Sequence, residues 1–140
     1  MNLEEFRNIF DDSELVGEKI ILKSGILKAI EYVKNFYKFD MLKSITALDN
    51  GDSKTELIYR LFSSENEEEV LLSTIVDKEA ESVAFLFDSA VADEKEIYDL
   101  FGIQFVGNKE LKRLYMPESW KGHPLRKDYD EKDERLNWND

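Results

Sequence analysis

The sequence predicts an α+β fold, a mostly antiparallel sheet of three or more strands with helices packed on one face. Strand-forming runs follow one another at short spacing between residues 41 and 76. A turn-forming cluster, Asp-Asn-Gly-Asp-Ser at 49–53, separates the first two runs. Apolar residues at helical spacing mark segments before and after these strands. This order favours an antiparallel meander over the parallel sheet of nucleotide-binding proteins.

The first 40 residues predict two helices with one strand between them. Residues 2–10 predict a short helix, because apolar side chains recur there at helical spacing. Residues 18–23 predict a buried strand around an Ile-Ile-Leu run. Ser24 is expected to cap a second helix that extends to Phe39. The apolar stripe of this second helix consists of Ile26, Ile30, Val33 and Tyr37.

The middle of the chain predicts the sheet itself. The three strands are expected at 41–48, 55–62 and 70–76. The turn cluster makes the first two a hairpin, and the polar residues 63–69 connect the second to the third. We therefore expect three neighbouring antiparallel strands.

A third helix is predicted after the sheet. Asp88 or Ser89 can cap it, and Gly102 is expected to end it directly after Phe101. Its buried face is predicted to hold Ile97, Leu100 and Phe101. Regular patterns weaken beyond this point. We therefore predict an α+β domain over residues 1–102, and an extended, partner-docking C-terminal arm over 103–140 that belongs to the same domain.

The composition excludes several kinds of site. The 140 residues include no cysteine, which rules out disulfides, iron–sulfur ligation, zinc–thiolate sites and thiol catalysis in this chain. The single histidine, His123, cannot build a histidine-rich metal site. There is no glycine-rich phosphate loop, and the apolar runs are far shorter than the roughly 20 residues of a membrane-spanning helix. No secretory leader is recognisable, so we do not expect secretion.

Charge is distributed unevenly along the chain. Residues 1–108 carry 11 basic and 23 acidic side chains, whereas residues 109–127 have a net charge of +4 and residues 128–140 of −4. The net charge of −12 disfavours non-specific binding to nucleic acid. Trp138 lies in the acidic tail, where it either folds back on the domain or inserts into a partner.

Three carboxylates of the predicted third helix are candidates for acid–base chemistry or metal binding. Glu96 and Asp99 lie one turn apart, but Glu94 and Glu96 point in different directions. The favoured interpretation is a charged helix end whose acidic side faces solvent or a partner. The catalytic alternative requires a strongly perturbed carboxylate in a cleft.

Residues 92–129 contain two sequence blocks at a characteristic separation. An acidic–basic–acidic triplet, Glu-Lys-Glu, is followed directly by Ile-Tyr-Asp-Leu-Phe-Gly-Ile. Further on come a basic pair, a tryptophan and the block Pro-Leu-Arg-Lys-Asp-Tyr. Together they resemble the signature of the 30 kDa subunit family of respiratory complex I. Two positions depart from it, since Lys95 stands where the family usually has arginine and Asn108 where it often has histidine. The motif and interface residues that the resemblance implies are Glu94, Glu96, Tyr98, Asp99, Gly102, Lys112, Arg113, Trp120, Pro124, Leu125, Arg126, Lys127 and Asp128.

The resemblance implies a non-catalytic structural subunit in the cytoplasmic arm of a membrane-bound oxidoreductase. Members are α+β subunits that bind no cofactor and hold a hydrogenase-like large subunit next to an iron–sulfur small subunit. Iron–sulfur clusters, and NAD or a NiFe centre, are then expected in the partner subunits. The chain would lie peripherally on the cytoplasmic side of the cell membrane, with no membrane span and no nucleic-acid partner.

Short relatives that this chain resembles also occur in energy-converting [NiFe] hydrogenases. The sequence therefore does not decide between such a hydrogenase and an NADH:quinone oxidoreductase, and the electron donor and acceptor stay open. Two other functions also stay open at this point. One is a freestanding acidic enzyme that uses Glu94, Glu96 or Asp99 as general acid and base. The other is a soluble interaction module unrelated to respiration.

Overall fold

The computed structural model describes residues 1–108, which form three helices and seven strands. In chain order the elements are α1 (Leu3–Ile9), β1 (Ser13–Val16), β2 (Lys19–Leu22), α2 (Ile26–Phe36), β3 (Met41–Gly51), β4 (Lys54–Ser63), β5 (Glu68–Val76), β6 (Glu79–Glu81), α3 (Ala90–Phe101) and β7 (Gln104–Val106). The predicted α+β class and the three central strands are confirmed.

The main sheet has five strands in the order β1-β2-β5-β4-β3. Its neighbours are antiparallel except for β2 and β5, which run parallel because α2 and the β3–β4 hairpin connect them. A second sheet pairs β6 with β7 in parallel. The sequence did not predict β1, β6 or β7, each of which has only three or four residues.

The β3–β4 hairpin turns through Asp52 and Ser53. Both residues have positive φ, 51° and 60°, and Gly51 lies opposite Lys54 in the strand register. Two consecutive left-handed residues are typical of a type I′ turn, whose twist matches that of the flanking strands. The predicted turn at 49–53 is therefore confirmed, and its last two residues form the two-residue loop.

The core lies on the face of the main sheet to which alternate residues of β4 point. Leu57, Tyr59 and Leu61 on this face are fully buried. They join buried side chains of all three helices in one cluster. Helix α2 packs against β5 and helix α3 against the edge strand β3. The helix packing thus brings α3 beside the edge of the sheet, where the candidate site lies.

Helix α2 differs from the prediction at both ends. Its N-cap is Gly25, with a φ of 73° and no side-chain cap, while the Ser24 hydroxyl instead donates to Asp12 Oδ2 at 2.9 Å. The helix ends at Phe36, because Lys38 adopts a φ of 65° that a right-handed helix cannot continue. The residues around Ser24 predict a cap, but they do not reveal that Asp12, twelve residues earlier, binds the serine hydroxyl.

The first residues of the predicted arm lie inside the domain. Residues 104–106 form β7, and the side chains of Ile103 and Phe105 are buried in the core cluster. Gly102 ends α3 as predicted, with a φ of 77° that turns the chain back toward β6. The core thus includes Ile103 and Phe105, and the arm from residue 109 onward lies outside the described residues.

Candidate functional site

The N-terminal half of α3 binds the free edge of β3. Ser89 is the N-cap residue, but its hydroxyl caps no helix N–H and donates instead to the Leu42 carbonyl at 3.1 Å. Asp93 Oδ2 accepts the Ile45 backbone N–H at 3.1 Å. An exposed strand edge offers unpaired backbone groups to other chains. Helix α3 therefore satisfies two backbone groups of β3 with its own side chains.

Glu94 is the first acidic residue of the family signature, and its side chain is fully buried. Its Oε1 accepts the Ser82 hydroxyl at 2.6 Å and the Asn108 amide at 3.0 Å, while its Oε2 accepts the Val83 backbone N–H at 2.8 Å. Ser82 in turn accepts the Ala84 N–H at 3.0 Å. One carboxylate thus connects α3 to the segment before it and to the residue after β7.

Burial raises the pKa of Glu94 above its ordinary value, and the negative charge of Asp93 adds to this effect. The three hydrogen bonds to Glu94 act in the opposite direction without overcoming burial. Burial also raises the pKa of Asp93, against the hydrogen bond from Ile45. The buried Tyr59 hydroxyl, which has no hydrogen-bond partner among residues 1–108, has a raised pKa through burial and through the charge of Glu94. The centre of this site therefore holds two neighbouring carboxyl groups whose pKa values are raised by burial.

The other signature residues of α3 occupy different environments. Asp99 is fully buried, Tyr98 is half-buried and Glu96 is exposed. The expected solvent- or partner-facing acidic side is therefore wrong for Glu94 and Asp99. For Glu94 the physical reason is that Ser82, Val83 and Asn108, which lie outside the helix, surround its carboxylate with donors.

The acid–base alternative meets only half of its own requirement. Glu94 has a perturbed pKa, but it is buried behind donors of its own chain and does not open into a cleft. A cleft of about 440 Å³ lies along α2, where Phe10, Tyr32 and Phe36 are among its lining residues. A general acid must reach the proton that it transfers, directly or through one water. The geometry of Glu94 does not provide that access.

Sequence reasoning missed Ser82, Asp93 and the hydrogen-bonding role of Asn108. One signal could have exposed the burial of Glu94. It lies four residues after Ala90 and three before Ile97, so it continues the buried stripe of the helix. Asn108 was noted only because the family often has histidine there. Both side chains can donate a hydrogen bond, so this departure retains the donor that Glu94 needs.

Part of the signature cannot be placed. Lys112, Arg113, Trp120 and the block from Pro124 to Asp128 lie outside the described residues. Among residues 1–108, no three Cys, His, Asp or Glu side chains come together in a group that could hold a metal ion. Helices in the same part of the chain are too short or too polar to cross a membrane.

A family model described as "Respiratory-chain NADH dehydrogenase, 30 Kd subunit" matches residues 20–135 of the chain. The chain belongs to this family. The C subunit of the NADH-quinone oxidoreductase of Citrifermentans bemidjiense is 34% identical, with 90% of this chain and 83% of that protein aligned. The C/D subunit of the corresponding oxidoreductase of Phocaeicola vulgatus is 36% identical over 66% of this chain, which spans 18% of that longer protein. Membership overturns the interpretation as an interaction module unrelated to respiration.

A solved structure shares the fold. One chain of the membrane-bound sulfane sulfur reductase, an archaeal respiratory membrane complex, superposes with a TM-score of 0.69 over 91% of this chain and 83% of that chain. The two sequences are 20% identical, so the likeness shows the fold alone. With the family match, the chain is a subunit of the complex I-like NADH-quinone oxidoreductase family, whose members have other subunits as partners.

Proposed function

We propose that this protein is a non-catalytic structural subunit of a complex I-like membrane-bound oxidoreductase, either an NADH:quinone oxidoreductase or an energy-converting hydrogenase. It holds the hydrogenase-like large subunit next to the iron–sulfur small subunit. Membership of the 30 kDa subunit family over residues 20–135 supports this proposal.

The observation that carries the proposal is the use of Glu94 within the chain. Both of its oxygens accept hydrogen bonds from the chain's own donors, at 2.6 to 3.0 Å. A general acid or base must lie within hydrogen-bond reach of the proton that it transfers, directly or through one water, and the fully buried Glu94 does not have that access. Glu94 instead fixes the conformation of the segments around α3, which is what a subunit with a defined interface needs.

The remaining signature residues supply the proposed contacts with partners. Glu96 is exposed on α3 and can pair with a cation of another subunit. Arg126 and Lys127 can form charge pairs, and Trp120 has the size and shape of an interface anchor. In this proposal the cofactors, which are iron–sulfur clusters and NAD or a NiFe centre, belong to the partner subunits. The assembly lies on the cytoplasmic side of the membrane.

Co-purification of the tagged chain from its own cells, in mild detergent, tests this function. We expect a large hydrogenase-like subunit and a small iron–sulfur subunit at equal stoichiometry with the tagged chain. Reduction of a dye by the purified complex, with NADH or with hydrogen as donor, then distinguishes the two kinds of complex. Recovery of the chain alone, with an activity of its own that Glu96→Gln or Asp99→Asn abolishes, would overturn the proposal in favour of the acid–base enzyme.

A further inference from the structure

Glu94, Ser82, Val83 and Asn108 form a hydrogen-bonded group that we name the signature latch. Its three donors come from two places in the chain, since Ser82 and Val83 precede α3 whereas Asn108 follows β7. The latch therefore connects the residues before α3, through Glu94 on the helix, to the residue Asn108 that follows β7. Asn108 is also the last described residue before the segment that holds the rest of the signature.

The backbone at the latch turns the chain sharply. Gly107 has a φ of 105°, which residues other than glycine rarely adopt. The Asn108 N–H donates to the Phe105 carbonyl at 3.1 Å. This turn brings the Asn108 amide to within 3.0 Å of Glu94 Oε1. Strand β7 itself pairs only through three residues, with Val106 largely exposed. The latch thus adds a side-chain attachment next to the backbone hydrogen bond that the Ser82 N–H donates to the Val106 carbonyl at 2.9 Å.

A buried carboxylate is a costly way to fill a helix position. An apolar side chain would continue the stripe of Ala90 and Ile97 without the cost of burying a carboxylate, although it would leave the donors on Ser82, Val83 and Asn108 without this acceptor. Buried polar groups of this kind are retained in several proteins because they select one arrangement of the chain. Here the arrangement selected is the position of Asn108 relative to α3.

We propose that the signature latch fixes the position and direction of the chain at Asn108, and that Glu94 is a positioning residue for the docking onto other subunits that the proposed function assigns to residues 109–140. This inference rests on the proposed function, because it assigns the role of Glu94 within that contact. Glu94 acts through Asn108 and touches no partner itself.

Exchanging the two polar groups tests the latch. Asn108→Asp places two carboxylates face to face, and we expect it to weaken capture by the rest of the complex, depleted of this subunit, by about tenfold. Glu94→Gln in the same chain should restore capture to within about threefold of the wild type. In this double variant the amide introduced at position 94 donates to the carboxylate introduced at position 108 and to the Ser82 hydroxyl. The oxygen of the same amide accepts the Val83 N–H.

Two further variants keep the experiment decisive. Asn108→Ala leaves Glu94 with two donors, so it should weaken capture while the melting temperature stays close to that of the wild type. Asn35→Ala, on the exposed side of α2, is the matched control and should change neither quantity. If Asn108→Asp does not fold, the comparison of Asn108→Ala with Asn35→Ala decides.

The outcomes separate the latch from the proposed function. Capture of every variant as efficiently as the wild type would overturn the latch alone. A double variant as weak as Asn108→Asp would also overturn it, because rescue requires the direct pair. Failure of the wild type to bind the depleted complex would instead overturn the proposed function.

Discussion

Glu94 and Glu56 are both buried carboxylates, but their environments affect the pKa in opposite directions. Glu94 receives hydrogen bonds from uncharged donors only, and burial raises its pKa. Burial alone would also raise the pKa of Glu56. The hydrogen bonds from Lys19 Nζ at 2.5 Å and from the Ser73 hydroxyl at 2.6 Å outweigh burial there and lower the pKa. The Lys19 ammonium beside Glu56 is therefore the reason that the two pKa values shift in opposite directions.

Glu94→Gln should change the pH dependence of stability. The folded protein binds the Glu94 proton more tightly than the unfolded chain does, because folding raises the pKa of Glu94 above its ordinary value of 4.5. Its contribution to the free energy of unfolding is therefore present below 4.5 and is lost as pH rises through the raised pKa. The variant lacks this loss, so its stability relative to the wild type should rise with pH across that window.

Urea unfolding at several pH values measures this effect, with Glu96→Gln on the exposed side of α3 as the control. Glu94 interacts electrostatically with Asp93 and Tyr59, so the difference between Glu94→Gln and the wild type also includes the change at these two neighbours. Parallel stability curves for Glu94→Gln and the wild type would contradict the assignment.

Glu56→Gln should show the opposite sign. A lowered pKa means that the stabilisation by Glu56 is present above the ordinary value of 4.5 and is lost as pH falls through the lowered pKa. We expect the variant to lose about 1–2 kcal/mol at neutral pH, because Lys19 and Ser73 each lose a charged partner. The difference from the wild type should shrink in acid. Glu69→Gln is the control, since the Glu69–Arg60 pair is exposed and should contribute under about 0.5 kcal/mol.

At the scale of elements, the β3–β4 hairpin has a type I′ turn, but its two loop residues are not the ones that adopt this turn most easily. Asp52 and Ser53 both occupy left-handed conformations, which Asn and Gly adopt more easily. The double substitution Asp52→Asn with Ser53→Gly should raise the free energy of unfolding by about 0.5–1 kcal/mol. Ser53→Val should lower it, because a β-branched side chain resists positive φ. Equal urea midpoints for the two variants would contradict the type I′ turn.

The contact between α3 and β3 predicts a change in solubility as well as stability. Asp93→Ala leaves the Ile45 N–H at the edge of the sheet without its acceptor at 3.1 Å. We expect a loss of about 1–2 kcal/mol and faster aggregation, because the freed edge can pair with another chain. Light scattering during mild heating measures this, with Asp88→Ala as the control at an exposed position beside α3. Aggregation of both variants at one rate would show that Asp93 does not protect the edge.

At the scale of the whole molecule, the segment beyond residue 108 is expected to serve assembly and not the stability of the domain. Arg126→Ala should weaken assembly with the other subunits by about 2 kcal/mol if its charge pair is desolvated in the interface. The melting temperature should change much less. Arg135→Ala, in the acidic tail, is the matched control. Intact assembly combined with a markedly lower melting temperature would assign Arg126 to the fold of the domain.

The sequence by itself determined the parts of this protein whose information is local or contiguous. Alternation and β-forming residues predicted the three central strands, and Asp49–Ser53 predicted their hairpin, because a turn depends on the residues within it. Gly102 marked the end of α3 for the same reason. The signature around Glu94 and Asp99 indicated the family, since a motif is read directly from consecutive residues.

Only the tertiary structure decided what those elements contact. The strands β1, β6 and β7 have three or four residues, too few for a periodic pattern, and each forms because a partner strand lies beside it. The burial of Glu94 depends on Ser82, Val83 and Asn108, which lie 11 to 14 residues away along the chain. The residues next to Glu94 in the sequence would be the same whether its carboxylate faced water or three hydrogen-bond donors. The spacing from Ala90 and Ile97 places Glu94 on the buried stripe of α3, but it does not show which groups meet the carboxylate there, because those groups come from other parts of the chain.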